Sequence, residues 1–136
     1  MESWRTVWRQ GIVPQLSPDD LATLRLALLD DDEHLLQGAT TSPPPLSCVQ
    51  NWPVEACCIL GFSGWKIGLQ TVAAVEEYFA NVCFEADRLL NEPAAVRWFL
   101  GWYDETPRDT MRRELLEEVD LALTTTKGEH TCDLQN

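Results

Sequence analysis

The stretch "TVAAVEEYFANVCFEADRLL", residues 71–90, decides the fold. Val72, Val75, Phe79, Val82, Ala86 and Leu89 follow one another at alternating spacings of three and four, the period of one helical face. Thr71 stands where a capping hydroxyl is wanted. Glu76, Glu77 and Arg88 fall away from the stripe, as a solvated face requires. Phe84 breaks this order. It lies opposite the stripe, flanked by Ala73 and Ala80 and between Glu77 and Arg88 on the polar side. A large aromatic there marks either a second packed face or a contact surface.

Upstream, "LSPDDLATLRLALL" carries a second helix. Ser17 caps it, Pro18 suits its first turn, Asp19 and Asp20 favour its positive end, and Leu21, Leu24 and Leu28 form its stripe. The acidic run Asp30–Glu33 opposes a helix C-terminus, so a break is expected, followed by a short helix through Leu35 and Leu36 that ends at Gly38. Residues 39–47, "ATTSPPPLS", read as a Pro-rich linker in extended polyproline form. As a proline-rich ligand the segment lacks a flanking basic residue. "PVEACCILGF" reads as a short buried helix from Pro53 to about Gly61 that holds Val54, Cys57, Cys58 and Phe62, and "SGWKIG" as a turn-rich connector.

Downstream, a helix is expected from Pro93, with Ala95, Trp98, Phe99, Trp102 and Tyr103 on its broad face. Another opens at Thr106 and Pro107, with Asp109 in the capping register and Met111, Leu115, Val119 and Ala122 as its stripe. At the other end, residues 1–11 give a short helical segment in which Trp4, Val7 and Trp8 share a face and Arg5 and Arg9 lie beside it. Residues 125–136 are polar and aperiodic, a frayed tail. No stretch alternates with period two, and no hairpin dipeptide joins two β-rich runs. The expected fold is therefore all-α, a compact bundle-like array of about five to six helices in a single domain over residues 1–124.

Composition narrows the function. The chain of 136 residues has a net charge of −12 and only two lysines. Up to Gly68 there are 4 basic and 8 acidic residues, and after it 6 and 14, so the acidity is spread along the chain. Direct nucleic-acid binding needs clustered Lys and Arg and is not expected. Acidic membranes repel such a chain, and no apolar run reaches the roughly 18 residues of a membrane span. The opening "MESWRTVWRQ" has no apolar core of a secretory signal, which with the odd cysteine count of five points to reduced thiols in the cytoplasm.

The candidate sites are few. Cys48, Cys57 or Cys58, Cys83 and His34 make the one four-ligand metal set that can be drawn, but adjacent cysteines do not have the spacing of a zinc site. Free cysteines behave as small hydrophobes, so core thiols are the expectation. "GFSGWKIG" lacks the phosphate-binding loop pattern, and "GFSG" is not a nucleophile elbow. The carboxylate groups Glu76 with Glu77, Asp104 with Glu105, and Glu114 with Glu117 and Glu118 lie mostly on polar faces, and none stands out as an acid–base pair. His34 sits near Asp30 and Asp31 as a solvated charge cluster. No cofactor fingerprint or metal site is expected. The positive signals are the high acidity and the aromatics Trp4, Trp8 and Phe84, which are the candidate partner-binding residues. The expectation is an acidic, non-catalytic protein-interaction module that binds another protein, with a basic one attracted by charge and a homodimer left open. Two alternatives stand beside it. One is an acidic mimic of nucleic acid that inhibits a DNA- or RNA-binding enzyme, and the other is a metal- or thiol-dependent enzyme that uses the central cysteines.

Overall fold

The computed structural model of the chain describes residues 3–44 and 51–135, with side chains as far as Thr125. The fold is mostly helical. Six α-helices are found among the described residues, together with a three-stranded sheet that helical periodicity does not predict. None of these helices is long and apolar enough to cross a membrane.

The N-terminal segment begins with helix α1 (Trp4–Val7), capped by Ser3, whose hydroxyl accepts from the Thr6 amide. A π-helical turn (Trp8–Ile12) and a 3-10 turn (Val13–Gln15) continue it. Gly11 lets this segment lie close against the fourth helix. A Cβ there would come within 3.1 Å of both Ala86 Cβ and Leu90 Cδ1. Gln15 ties the turn down, donating to the carbonyls of Gly11 and Val82.

Helix α2 (Pro18–Leu29) opens with the expected cap in its full reciprocal form. The Ser17 hydroxyl accepts from the Asp20 amide, and the Asp20 carboxylate accepts from the Ser17 amide, both at 3.0 Å. Leu21, Leu24 and Leu28 are buried as expected. The helix stops before the acidic run, and Asp31 takes a left-handed backbone with φ 49°. Arg112 donates to the freed carbonyls of Leu28 and Leu29.

Two expectations fail in the next segment. Leu35–Leu36 is strand β1 and not a short helix, and Ala56–Cys58 is strand β3 and not the start of one. Between them in sequence, Thr41–Ser42 is strand β2, so the Pro-rich connector expected over 39–47 contains a strand with a buried threonine. Residues 45–47 of that connector, with Cys48, lie outside the described residues. The sheet order is β1-β3-β2, with β1 parallel and β2 antiparallel to the central strand. Cys57 pairs with Leu35 on one side and Thr41 on the other. The physical reason for the correction is backbone satisfaction. The Cys57 and Cys58 amides donate to the carbonyls of His34 and Thr40 at 2.9 Å, partners 18 or more residues away that no local period reveals.

Helix α3 (Ile59–Lys66) starts after the cysteines and runs through the "SGW" expected to be a connector. Helix α4 (Val72–Leu90) is capped by the Thr71 hydroxyl and closed by Asn91 in the left-handed conformation. Its stripe is buried at Val72, Val75, Val82 and Ala86 and partly buried at Phe79, whereas Leu89, expected in the stripe, is 40% exposed. Helix α5 (Val96–Glu105) begins three residues later than Pro93 suggests. The Asp87 carboxylate, from α4, accepts from the amides of Ala94 and Val96 and so caps α5 from outside. Helix α6 (Arg108–Gln135) buries Met111, Leu115 and Val119. Its backbone continues past residue 124 through the segment expected to fray. Each further residue adds one hydrogen bond to an established helix, and no proline interrupts it. Trp8, Phe62, Phe99 and Tyr103 are the largest fully buried side chains, and the Tyr103 hydroxyl donates to the Leu36 carbonyl, fastening α5 to the sheet.

Candidate functional site

The sheet and α4 determine the state of the thiols. Cys57 and Cys58 are buried in the central strand, and Cys83 is half-buried on α4. Burial pushes all three up to about 12, so they are protonated at neutral pH and are poor nucleophiles. His34 does not join them. It is exposed, its Nδ1 lies 2.7 Å from Asp32 rather than from Asp30 or Asp31, and its ring lies against Trp65. Among the described residues no group of three or more His, Cys, Asp or Glu side chains is placed to hold a metal ion.

The three aromatics expected to bind a partner separate. Trp8 is fully buried and stacks on Phe99 with ring centroids 5.6 Å apart. Trp4 is half-buried and stacks face to face on Trp102, at 3.5 Å and 6°. Arg5 covers its ring. These contacts fasten the N-terminal segment to α5, so Trp8 is withdrawn from any surface. Phe84 is different, with 72% of its surface exposed. Beside it a shallow cleft of about 330 Å³ is lined by Asp87, Arg88, Asn91, Glu92 and Pro93.

The charges have a definite arrangement. Arg5 and Arg9 pair with Glu118, Arg25 with Asp120, Arg88 with Glu85, and Arg108 and Arg112 with Asp31. Six of the ten basic residues are thereby held in ion pairs within the chain. Asp30, Glu33, Glu55, Glu77, Glu105 and Glu117 are exposed. Near the junction of α5 and α6, carboxylates from distant parts of the sequence are held by the chain itself. Arg108 donates to Asp31 and to the Asp32 carbonyl, and the Asp104 carboxylate accepts from the Gly38 amide. Arg112 lies between Asp31 and Asp109, so these contacts set Asp31 beside the first turn of α6 and Gly38 beside the end of α5.

A groove of about 450 Å³ opens between the N-terminal turns and α6. Val13, Pro14 and Leu16 line one side, and Leu121 and Ala122 the other. Trp8, Arg9, Glu118 and Thr125 complete the lining. Glu118 is 3% exposed and was expected on a polar face. Arg9 forks onto both its oxygens at 2.7 Å, and Arg5 reaches Oε2 at 2.6 Å. The Arg9 hydrogen bonds, with those from Arg5, hold this carboxyl below its ordinary value against the opposing effect of burial. The Trp8 Nε1–H is buried and has no acceptor among the described residues. Sequence reasoning missed this groove. The available signal was Glu118 directly beside Val119 of the buried stripe, with two arginines one turn apart on a segment that had to dock.

Comparison with known proteins gives no match: no family model fits this chain, and no curated protein and no solved structure is significantly similar to it.

Proposed function

We propose that this chain is a protein-binding module that docks a basic segment of another protein, with Phe84 as its apolar anchor. The exposure of Phe84 carries the reading. A phenylalanine left 72% open on the polar face of a well-formed helix gains little from folding, and aromatic anchors beside small clefts are where binding energy concentrates. The charge arrangement supports a basic partner, because most of the cations are spent on internal pairs while carboxylates remain open to solvent. The buried, reduced thiols suit the cytoplasm as its compartment. Two copies each carrying −12 repel, which disfavours self-association over a basic partner.

Calorimetric titration with a Lys-rich peptide bearing two leucines, and with its Glu-rich counterpart, tests the reading. The basic peptide is expected to bind, and more weakly as salt is raised from about 50 to 300 mM. Phe84→Ala is expected to weaken it at least about tenfold while urea stability changes by less than about 1 kcal/mol. Equal binding of the acidic peptide, or full affinity in Phe84→Ala, sinks the proposal. The exposed carboxylates of Asp30, Glu33 and Glu105, with Asp31 and Asp109 meeting on Arg112, favour a second reading, a mimic of nucleic acid. That reading predicts displacement of duplex DNA from polylysine that is indifferent to Phe84→Ala and lost on reversing Asp30, Glu33 and Glu105.

A further inference from the structure

The geometry points to an amphipathic α-helix as the segment that docks on the outer face of α4, with a basic residue about two turns from its apolar centre on each side. This rests on Phe84 as the anchor of a basic partner and specifies the form that partner takes. Three observations carry it. The first is the face itself. Ala73, Glu77, Ala80 and Phe84 follow one another at spacings of four, three and four, so they form one stripe opposite the buried one. Its members are exposed except for the half-buried Ala80. The stripe runs along a helix of 19 residues, about 28 Å by its rise per residue. Phe84 stands out from it, whereas Ala73 and Ala80 carry only a methyl group. Low side chains at these positions let a second helix axis come near, with Phe84 as the ridge that enters its groove.

The second observation is charge. Arg88 is paired with Glu85, and the Asp87 carboxylate is engaged by the amides of Ala94 and Val96. Glu77 and Glu92 have no ion-pair partner among the described residues. They flank Phe84 along the chain. Glu77 stands seven residues before it in the stripe, and Glu92 lies past the helix end in the lining of the cleft beside it. An occupant that answers both needs a cation on each side of its apolar contact, which an acidic or neutral segment does not offer. The third observation is the backbone. The amides and carbonyls in the middle of α4 are bonded within the helix, so this face offers no strand edge. A chain laid there in extended form finds nothing to pair its main chain with, whereas a helix satisfies its own.

The probe is an Ala-rich peptide with leucines at its centre and one lysine two turns to either side on the same helical face, titrated calorimetrically into the full chain. A second peptide keeps these residues and carries prolines at outward-facing positions, which break the helix. The helical peptide is expected to bind at least about tenfold tighter than the proline peptide, and the complex to show more far-UV helical signal than its separate components. Glu77→Lys changes an exposed position and leaves the core untouched. It is expected to weaken the helical peptide at least about tenfold with an unchanged melting temperature, and a peptide with glutamate in place of one of its two lysines is expected to restore the affinity. Equal binding of the proline peptide, no gain in helicity, affinity untouched by Glu77→Lys, or no rescue by the glutamate peptide would each overturn the helical occupant, and loss of binding in Phe84→Ala would then leave the anchor standing. Full affinity in Phe84→Ala, or no binding of either peptide, would overturn the anchor reading with it. So would self-association that Phe84→Ala abolishes, which would give this face to a second copy of the chain.

Discussion

Glu118 shows how a single residue is governed by its surroundings. On a polar face it would be a solvated acid. Buried at 3% exposure, it is tolerable only because three hydrogen bonds from two arginines replace its water. Its folded pKa lies below its ordinary 4.5, chiefly through the hydrogen bonds from Arg9. A carboxyl lowered in this way adds stability above its unfolded pKa and loses it as pH falls through the folded one. The urea midpoint of the native chain is therefore expected to fall as pH drops below about 4.5. Glu118→Gln is expected to be less stable at neutral pH, and the gap is expected to narrow on acidification. A gap that stays constant with pH would show that the ion pair contributes nothing. Phe84 and Trp8 make the converse pair. The same kind of apolar ring is buried in one and open in the other, and only the fold distinguishes them.

At the scale of elements, the α3–α4 contact depends on small residues. Gly64 of α3 meets the ring of Tyr78 on α4 so closely that a Cβ would lie 2.7 Å from its Cγ. That atom is near the root of the side chain and cannot swing aside. Gly64→Ala is thus expected to destabilise the fold by about 1–3 kcal/mol, even though alanine is the better helix former. A denaturant melt checks this, and a neutral or stabilising result would mean that α3 can shift. Gly61 repeats the arrangement one turn earlier, where a Cβ would lie 3.0 Å from Val75 Cγ1. The caps of α2 and α4 are local devices that a reader of the sequence finds at Ser17 and Thr71. The cap of α5 is not, since its carboxylate comes from Asp87, nine residues before Val96 and on another helix.

For the molecule as a whole, the central strand reports global opening. Cys57 and Cys58 are protected by the sheet, α3 and α4 together, so their exposure requires the core to separate. A thiol reagent is expected to modify them at a rate set by unfolding, and to modify Cys83, at the half-buried margin of α4, sooner. Rapid native-state reaction of all three would contradict the burial. The net charge of −12 acts at the same scale. Its cations are largely held in pairs that staple the N-terminal segment, α2 and α6 to one another, which leaves the outward field negative.

The sequence by itself determined the helical character, the starts of α2 and α4, the stop before Asp30 and the apolar stripes of α2, α4 and α6. These are features of local period and local capping, written within a turn or two of chain. It also singled out Phe84, because an apolar residue off the stripe is visible without a structure. Only the tertiary structure decided the sheet, the burial of Trp8 and Glu118, and the groove. Strands of two or three residues are too short to display a period, and their hydrogen-bond partners lie far along the chain. Arg9 and Glu118 are 109 residues apart, and what makes them a pair is the docking of one end of the chain on the other.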